Sequence, residues 1–499
     1  MIISAHLATL EASGLIRLAQ IEPELEYLFR HALIQDAAYQ SLLKSNRRTL
    51  HRAVGETLER LYPDRLDDLA SELAHHFALA EATEPALDYF IRAADRARTV
   101  YANTEAVAFY RAAIEQADHL LQAEGPAPAR WSTSLAQLYE QLGDVLGVMG
   151  KLEEARAAYD SALKHQPEAE HIAQARLYRK IGKAWAHQFL YPDALAAYAL
   201  AEQTLGVEPA ALAALWWQEW ITIQLNRMET FYWQGQWREI EQLVEQTRPI
   251  IKRYGTPALR VDFHDSLIGM AERRDRYVIS DEILFHARAM LTAAEESGEA
   301  FLIANAHFQL GFCLLMHNTF DEAEEHLRTS ENMMRQIGNV LYLAFVLTYL
   351  GLLYRRRSQP EMARPYIRQA HTTTRLNQIG VHLGVAEGNL AWLSLREQNM
   401  ADAQRHGLAA LDQWLKSSFV YPFQWTAYLP LIAVALYQAQ VAEAVQYARA
   451  LLEPSQQRLP DVLDGVLAQA VQFHEQDQPE PACAALHQAI NTARQLGYL

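Results

Sequence analysis

Four segments of this chain place a glycine directly after an apolar residue and an alanine twelve positions beyond it. They are Leu142-Gly143 with Ala155, Ile181-Gly182 with Ala194, Leu310-Gly311 with Ala323, and Leu350-Gly351 with Ala363. A leucine or aromatic follows each glycine by three residues (Leu146, Trp185, Leu314, Tyr354), and Tyr159, Tyr198, Leu327 or Ile367 follows each alanine by four. Spacings of three and four put side chains on one face of a helix. A fixed interval of twelve between two small residues asks for two helices folded back on each other, close enough that only tiny side chains fit where they face. The turns between them are marked by Gly150-Lys151, Tyr191-Pro192-Asp193, Asn318-Thr319 and Gln359-Pro360. One such hairpin cannot bury its own apolar face, so hairpins of this kind must stack.

The rest of the chain fits an array better than a single core. At 499 residues it exceeds what one hydrophobic core serves, half of it is apolar, and only 21 glycines and 18 prolines interrupt it. Degenerate copies of the second-helix start stand near Ala86, Ala106, Ile240, Ile283, Ala403, Ala444 and Ala482. Equivalent alanines are mostly 38 to 43 residues apart.

The series Leu142-Gly143, Leu146, Ala155, Tyr159, Ala162 and Pro167 resembles the tetratricopeptide repeat signature of Leu-Gly, Tyr, Ala, Phe or Tyr, Ala and Pro, with leucine in place of the first tyrosine. That resemblance implies an all-α, right-handed superhelical solenoid of helical hairpins. The spacing is longer than the roughly 34 residues of the standard unit, so each helix is expected to be about a turn longer. Lengthened copies such as DEAEEHLRTSENMMRQIGN look like the sensor arms of large bacterial signal-transduction ATPases. HEAT-type repeats share a period near forty, but nothing in their pattern demands the Gly-to-Ala interval of twelve.

Residues 1–60 break the period. A short helix over His6 to Ala12, a strand around Leu15 to Leu18, a turn at Glu22-Pro23-Glu24 and a strand over Leu25 to Phe29 read as the end of a winged helix followed by a linking helix. The first degenerate hairpins are expected over 66–125 and the regular solenoid over 131–499. The stretch YLFRHALIQDAAYQSLLKSNRRTLHRAVGETLE resembles the junction where an AAA-type or STAND-class ATPase, often joined to a class III nucleotide cyclase, passes into its repeat arm. The resemblance implies that His31 stands where such proteins contact a terminal phosphate, although Ala32 replaces the acidic neighbour and His31 can equally pack on the following helix.

Catalytic chemistry finds little footing in the sequence. No Gly-x-x-x-x-Gly-Lys-[Ser/Thr] loop is present, and Gly150-Lys151 and Gly182-Lys183 are followed by Leu152 and Ala184 rather than a hydroxyl residue. Glu72-x-x-His75 has the spacing of half a di-iron ligand set without the other half, and the adjacent His75 and His76 diverge on a helix. Neither a metal nor another cofactor is expected. Cys313 and Cys483 stand 170 positions apart, giving no disulfide framework and suiting a reducing cytoplasm. The net charge of −16 disfavours nucleic acid and anionic membranes as partners, and the amino-terminal sequence has no secretory pattern. The apolar run Val340 to Tyr354 is too short to span a bilayer and reads as a buried helix.

A binding role remains: a non-catalytic protein-interaction or ligand-sensing scaffold, the regulatory arm of an ATPase or cyclase system, taking a protein, a peptide or a small effector, with self-association through the last hairpin open. The alternative is a DNA-binding regulator using the amino-terminal winged helix. The register of the Leu-Gly pairs puts Arg179, Lys183, His187, Glu229, Tyr232, Trp233, Arg355 and Trp392 on the wall of the groove. Arg355-Arg356-Arg357 reads as a solvated helix end meeting the negative pole of the helix dipole. Of the adjacent Trp216 and Trp217, one is expected to meet a groove or partner, since neighbours on a helix diverge by about 100°.

Overall fold

The structure is a computed structural model, and it describes residues 2–20, 26–124, 129–209, 211, 213–377, 379–417 and 419–499. The chain divides at 188/189 into two compact units.

In the first unit, α1 (Ile2–Ala12) leads into an antiparallel hairpin of β1 (Ile16–Gln20) and β2 (Glu26–Phe29), with Ile16 opposite Phe29 and Leu18 opposite Tyr27. The expected turn at Glu22-Pro23-Glu24, with Leu25, lies outside the described residues. Helices α2 (Ala32–Ser41), α3 (Lys44–Leu61), α4 (Ala70–Leu79), α5 (Thr83–Thr99), α6 (Asn103–Glu124), α7 (Ala129–Val148), α8 (Leu152–His165) and α9 (His171–His187) follow. His31 precedes α2 with its side chain exposed and making no capping bond. Helix α1 contains no lysine or arginine to meet a base or phosphate, so the DNA-reading alternative gains no support.

The second unit holds α10 (Tyr191–Leu205), α11 (Ala213–Gln234), α12 (Trp237–Tyr254), α13 (Pro257–Arg274) and α14 (Asp281–Ser297). Next come α15 (Ala300–Met316), α16 (Phe320–Ile337), α17 (Val340–Arg356), α18 (Pro360–Leu376), α19 (Gly380–Arg396) and α20 (Met400–Leu415). The last four are α21 (Trp425–Tyr437), α22 (Val441–Leu451), α23 (Asp461–Glu475) and α24 (Pro479–Gln495). Successive pairs form antiparallel hairpins, and each unit is a stack of tetratricopeptide-like hairpins, all-α apart from the β1–β2 pair.

The glycines act differently from the simple expectation that Gly and Ala face one another. A Cβ on Gly143 would lie 2.4 Å from the Tyr159 ring, one on Gly311 2.8 Å from Leu327, and one on Gly351 3.0 Å from Ile367. Each glycine therefore makes room for the large side chain sixteen residues later on its own partner helix. The alanines twelve residues on, Ala155, Ala323 and Ala363, are wholly buried at the start of that helix. Between the helices one residue turns left-handed, Gly150 (φ 75°), Asn318 (φ 68°) or Ser358 (φ 55°), which closes the hairpin in the fewest residues. Helix α17 is buried along most of its length, as its apolar run suggests, and no described helix is long and apolar enough to cross a membrane.

The arginines ending α17 correct the sequence reading. Arg355 is fully buried and Arg356 nearly so. Arg355 donates to the carbonyl oxygens of Tyr498 (2.8 Å) and Thr426 (3.0 Å) and to Asn389 Oδ1 (2.9 Å), between the rings of Trp392 and Trp425. Burial, and then the neighbouring Arg356, depress its proton affinity. The helix end is dry because α19, α21 and the residues after α24 pack over it, so carbonyl dipoles and aromatic faces replace water.

Candidate functional site

Helices α11, α13, α15, α17 and α19 lie side by side as the first helices of consecutive hairpins, and their second helices lie behind them. Gly269 of α13 brings that helix against Tyr232 of α11, with room for no more than a hydrogen: a Cβ there would sit 3.0 Å from the ring. The faces turned away from the second helices carry two kinds of side chain.

The first is an aromatic tract. Trp233 meets Phe419 at 5.0 Å between ring centres, and Tyr232 shares a 2.9 Å hydroxyl contact with Tyr277 under the Arg273 guanidinium. Tyr277 meets Phe423 at 4.7 Å, Phe312 meets Tyr349 at 4.9 Å, and Phe345 stacks on His382 at 3.9 Å. Phe419, Tyr421 and Phe423 come from the connection between α20 and α21, which reaches back across the inner face. Gln456 and Gln457 hold that connection from the next one, Gln456 through the Tyr421 carbonyl and Gln457 through the Trp425 indole.

The second is a group of carboxylates: Glu229 on α11 and Asp262, Asp265 and Glu272 on α13. Desolvation by the surrounding walls, then Asp262 and Glu229, push the Asp265 carboxyl up to about 7. Glu229, Asp262 and Asp265 are nevertheless all exposed at the surface. Glu272 lies deeper, 3 % exposed, and burial followed by Asp265 raises it to about 8 against the pull of Arg273 and a Tyr232 hydrogen bond. Burial and the charges of Asp265, Glu229 and Asp262 push the Tyr342 phenol up. His382, half-buried on Phe345, is held down to about 3 by desolvation. Strongly perturbed groups on one side of a fold are candidates for a functional surface. No three His, Cys, Asp or Glu side chains among the described residues converge as they would around a metal ion.

Of the residues singled out from sequence, Glu229, Tyr232 and Trp233 lie on this face. Arg179, Lys183 and His187 recur at four-residue steps along α9 in the first unit, with Lys183 and His187 exposed and Arg179 half-buried. Arg355 and Trp392 are not wall residues: both are buried in the packing between α17, α19 and α21, because the register that points a side chain off one hairpin also points it into the next layer. Trp216 is buried, its indole donating to the Leu205 carbonyl, whereas Trp217 is half-buried, its indole donating to Glu208 while its ring stacks on Tyr254. Asp262, Asp265, Glu272, Tyr342 and His382 were not anticipated. Acidic residues at 262, 265 and 272 do share one helical face, and that periodicity was the available signal.

No family model matches the chain, and no curated protein matches it in sequence. Solved structures do. A Rap protein complexed with competence and sporulation factor aligns with 13% identity over 82% of this chain and 98% of its own, at a TM-score of 0.46. A STAND-class signal-transduction ATPase with a tetratricopeptide repeat sensor, from Pyrococcus horikoshii, aligns with 12% identity over 93% of this chain and 59% of its own, at 0.48. Aspartyl phosphate phosphatase F from Bacillus subtilis aligns with 12% identity over 82% of this chain and 94% of its own, at 0.41.

Proposed function

We propose that the chain is a non-catalytic interaction module whose second unit recognises a protein segment along the inner face of α11 to α19, and that it serves as the regulatory arm of a signal-transduction ATPase or cyclase system. The observation that carries the recognition reading is the inner face itself, where the exposed Trp233 and the partly exposed Phe419 share a surface with the exposed acids Glu229, Asp262 and Asp265. The regulatory reading draws its support from residues 27–59, whose sequence resembles an ATPase-to-arm junction, and from the α1–β1–β2 arrangement before them. Two unpaired cysteines, one of them buried, suit a cytoplasmic setting.

The test is affinity capture from cell extract with the intact chain, the Trp233→Ala/Tyr342→Ala variant, and a variant altered only on the outer face at Glu361 and Arg364. Loss of the same retained protein in the inner-face variant alone supports the proposal. Equal loss or equal retention in both variants rejects the inner face as the recognition surface. An ATPase or cyclase among the retained proteins supports the regulatory role; its consistent absence leaves a plain scaffold.

A further inference from the structure

We propose that the Arg273 guanidinium seats a carboxylate of a partner polypeptide, with Trp233, Phe419 and Phe189 receiving the apolar residue beside it. The proposal rests on the inner face being the recognition surface and adds the chemistry of its occupant.

Arg273 stands in the last turn of α13 with its charge unmatched. Its Nε is buried without a partner, and among the described residues the guanidinium makes no hydrogen bond or ion pair. Its neighbours are provided for by the fold: Arg274 pairs with Asp275 at 2.7 Å, and Arg276 donates to the Gln456 and Glu453 carbonyl oxygens at 3.0 and 3.2 Å. What Arg273 meets is aromatic, the Tyr232 ring at 4.4 Å and the Tyr277 ring at 5.8 Å from its central carbon. Ring faces stabilise the charge but leave the N–H donors unfilled. The two phenol oxygens lie 2.9 Å apart and are engaged with one another. Glu272, next along the helix, supplies no full counter-charge, because burial, followed by Asp265, raises it to about 8. Asp265 itself stands eight residues earlier on α13, about 12 Å along the helix.

A carboxylate answers this arrangement. Its two oxygens match the guanidinium fork in a bidentate pair, and an enclosed donor that lacks an acceptor gains most when one arrives. A phosphate dianion is less well matched, since Arg274 and Arg276 are already engaged and add no further charge at Arg273. Arg273 keeps part of its side chain accessible, which leaves a way in. From it the aromatic surface runs outward, Tyr232 to Trp233 at 5.2 Å between ring centres, Trp233 to Phe419 at 5.0 Å and Phe419 to Phe189 at 6.2 Å. Phe189 is 49 % and Trp233 38 % exposed. A small acid leaves that surface bare, whereas a polypeptide lays an apolar side chain on it while its carboxylate meets Arg273.

The test selects a random peptide display library on the full chain at neutral pH, and one selected peptide is then synthesised with its acid intact and with that acid changed to the amide. The expected result is enrichment of Asp, Glu or a free carboxyl terminus beside an aromatic or aliphatic residue. Binding of the acid peptide should weaken about tenfold or more in Arg273→Gln, the loss expected of a charge-assisted bidentate pair. It should be unchanged in Arg364→Gln, an outer-face change of equal charge. The amide peptide should bind the parent and Arg273→Gln alike, which separates a lost ion pair from a damaged fold, since damage would weaken both peptides. Loss of binding on amidating the peptide's carboxyl terminus assigns the terminal carboxylate and retention assigns the side chain; both support the seat. Selected peptides without acidic enrichment overturn this inference, and leave the recognition surface standing only if Trp233→Ala weakens their binding; a failure to select any peptide overturns both. Acidic peptides that bind Arg273→Gln as tightly as the parent refute the seat, and tighter, Arg273-dependent binding of a phosphoserine peptide refutes the carboxylate assignment.

Discussion

Replacing Gly311 by alanine places a methyl carbon 2.8 Å from Leu327 Cγ and 3.1 Å from the Leu327 backbone nitrogen. The nearer atom is close to the stem of a fully buried side chain and the other belongs to the backbone, so relief requires α15 and α16 to separate. Overpacking of this kind costs about 1–3 kcal/mol. Alanine also recovers about 1 kcal/mol of helix propensity over glycine, which leaves a net loss of roughly 0–2 kcal/mol. Gly465, inside α23, is the control, because a Cβ there meets nothing within 4 Å. Gly465→Ala should stabilise by about 0.5–1 kcal/mol. Both positions lie in the second unit, so urea titrations of the full chain followed by helical circular dichroism compare them in one structural context. Gly311→Ala should unfold at lower urea than the parent and Gly465→Ala at higher. If Gly311→Ala proves as stabilising as Gly465→Ala, the glycines do not gate the hairpins and the account of the repeat is wrong.

Arg355→Ala should destabilise by about 3 kcal/mol or more, because it leaves buried carbonyl oxygens unpaired and opens a cavity between Trp392 and Trp425. Arg355→Lys should restore only part of that, since one ammonium cannot reach the acceptors the guanidinium fork spans; thermal melts of both variants decide it. His307 and His326 touch through their Nδ1 atoms at 2.8 Å, and burial lowers both. His264, beside His286, is held down to about 4, mainly by burial. Groups whose folded proton affinity is depressed bind more protons when unfolded, so their contribution is intact above the ordinary histidine value of 6.5 and is lost as pH falls from there toward about 4. Chemical denaturation between pH 7 and 4.5 should show that loss, and His307→Leu/His326→Leu should reduce its slope. Asp265 works in the opposite sense: raised to about 7, it favours the folded state least where it must ionise, so stability falls as pH rises from about 4 through 7. Asp265→Asn should stabilise more at pH 8 than at pH 5, and an equal effect at both would contradict the raised proton affinity of that carboxyl.

The repeat was legible because it is enforced locally. Gly311 admits Leu327 only sixteen residues away, and Ala323 must be small whatever else the chain does, so spacing alone exposed the hairpins. Residues whose surroundings arrive from far along the chain were illegible. Arg355 looks like a solvated helix end until Thr426 and Tyr498 bring their carbonyls to it, 71 and 143 residues later. The inner face was half visible for the same reason. Glu229, Tyr232 and Trp233 follow from the register of one helix, whereas the packing of Tyr232 on Gly269 and Tyr277 depends on how neighbouring hairpins stack. The connection that carries Phe419, Tyr421 and Phe423 across the inner face could not be read from sequence, since nothing in a local pattern says which layer a loop will cross.

Site-specific photo-crosslinking tests the inner face most directly. A photoreactive phenylalanine analogue at Glu229 on the inner face, and the same group at Glu361 on the outer face, would be irradiated in cell extract and the adducts identified by mass spectrometry. The account predicts a defined polypeptide adduct at position 229 and none of it at 361. The same adduct forming at 361 and not at 229 would contradict it.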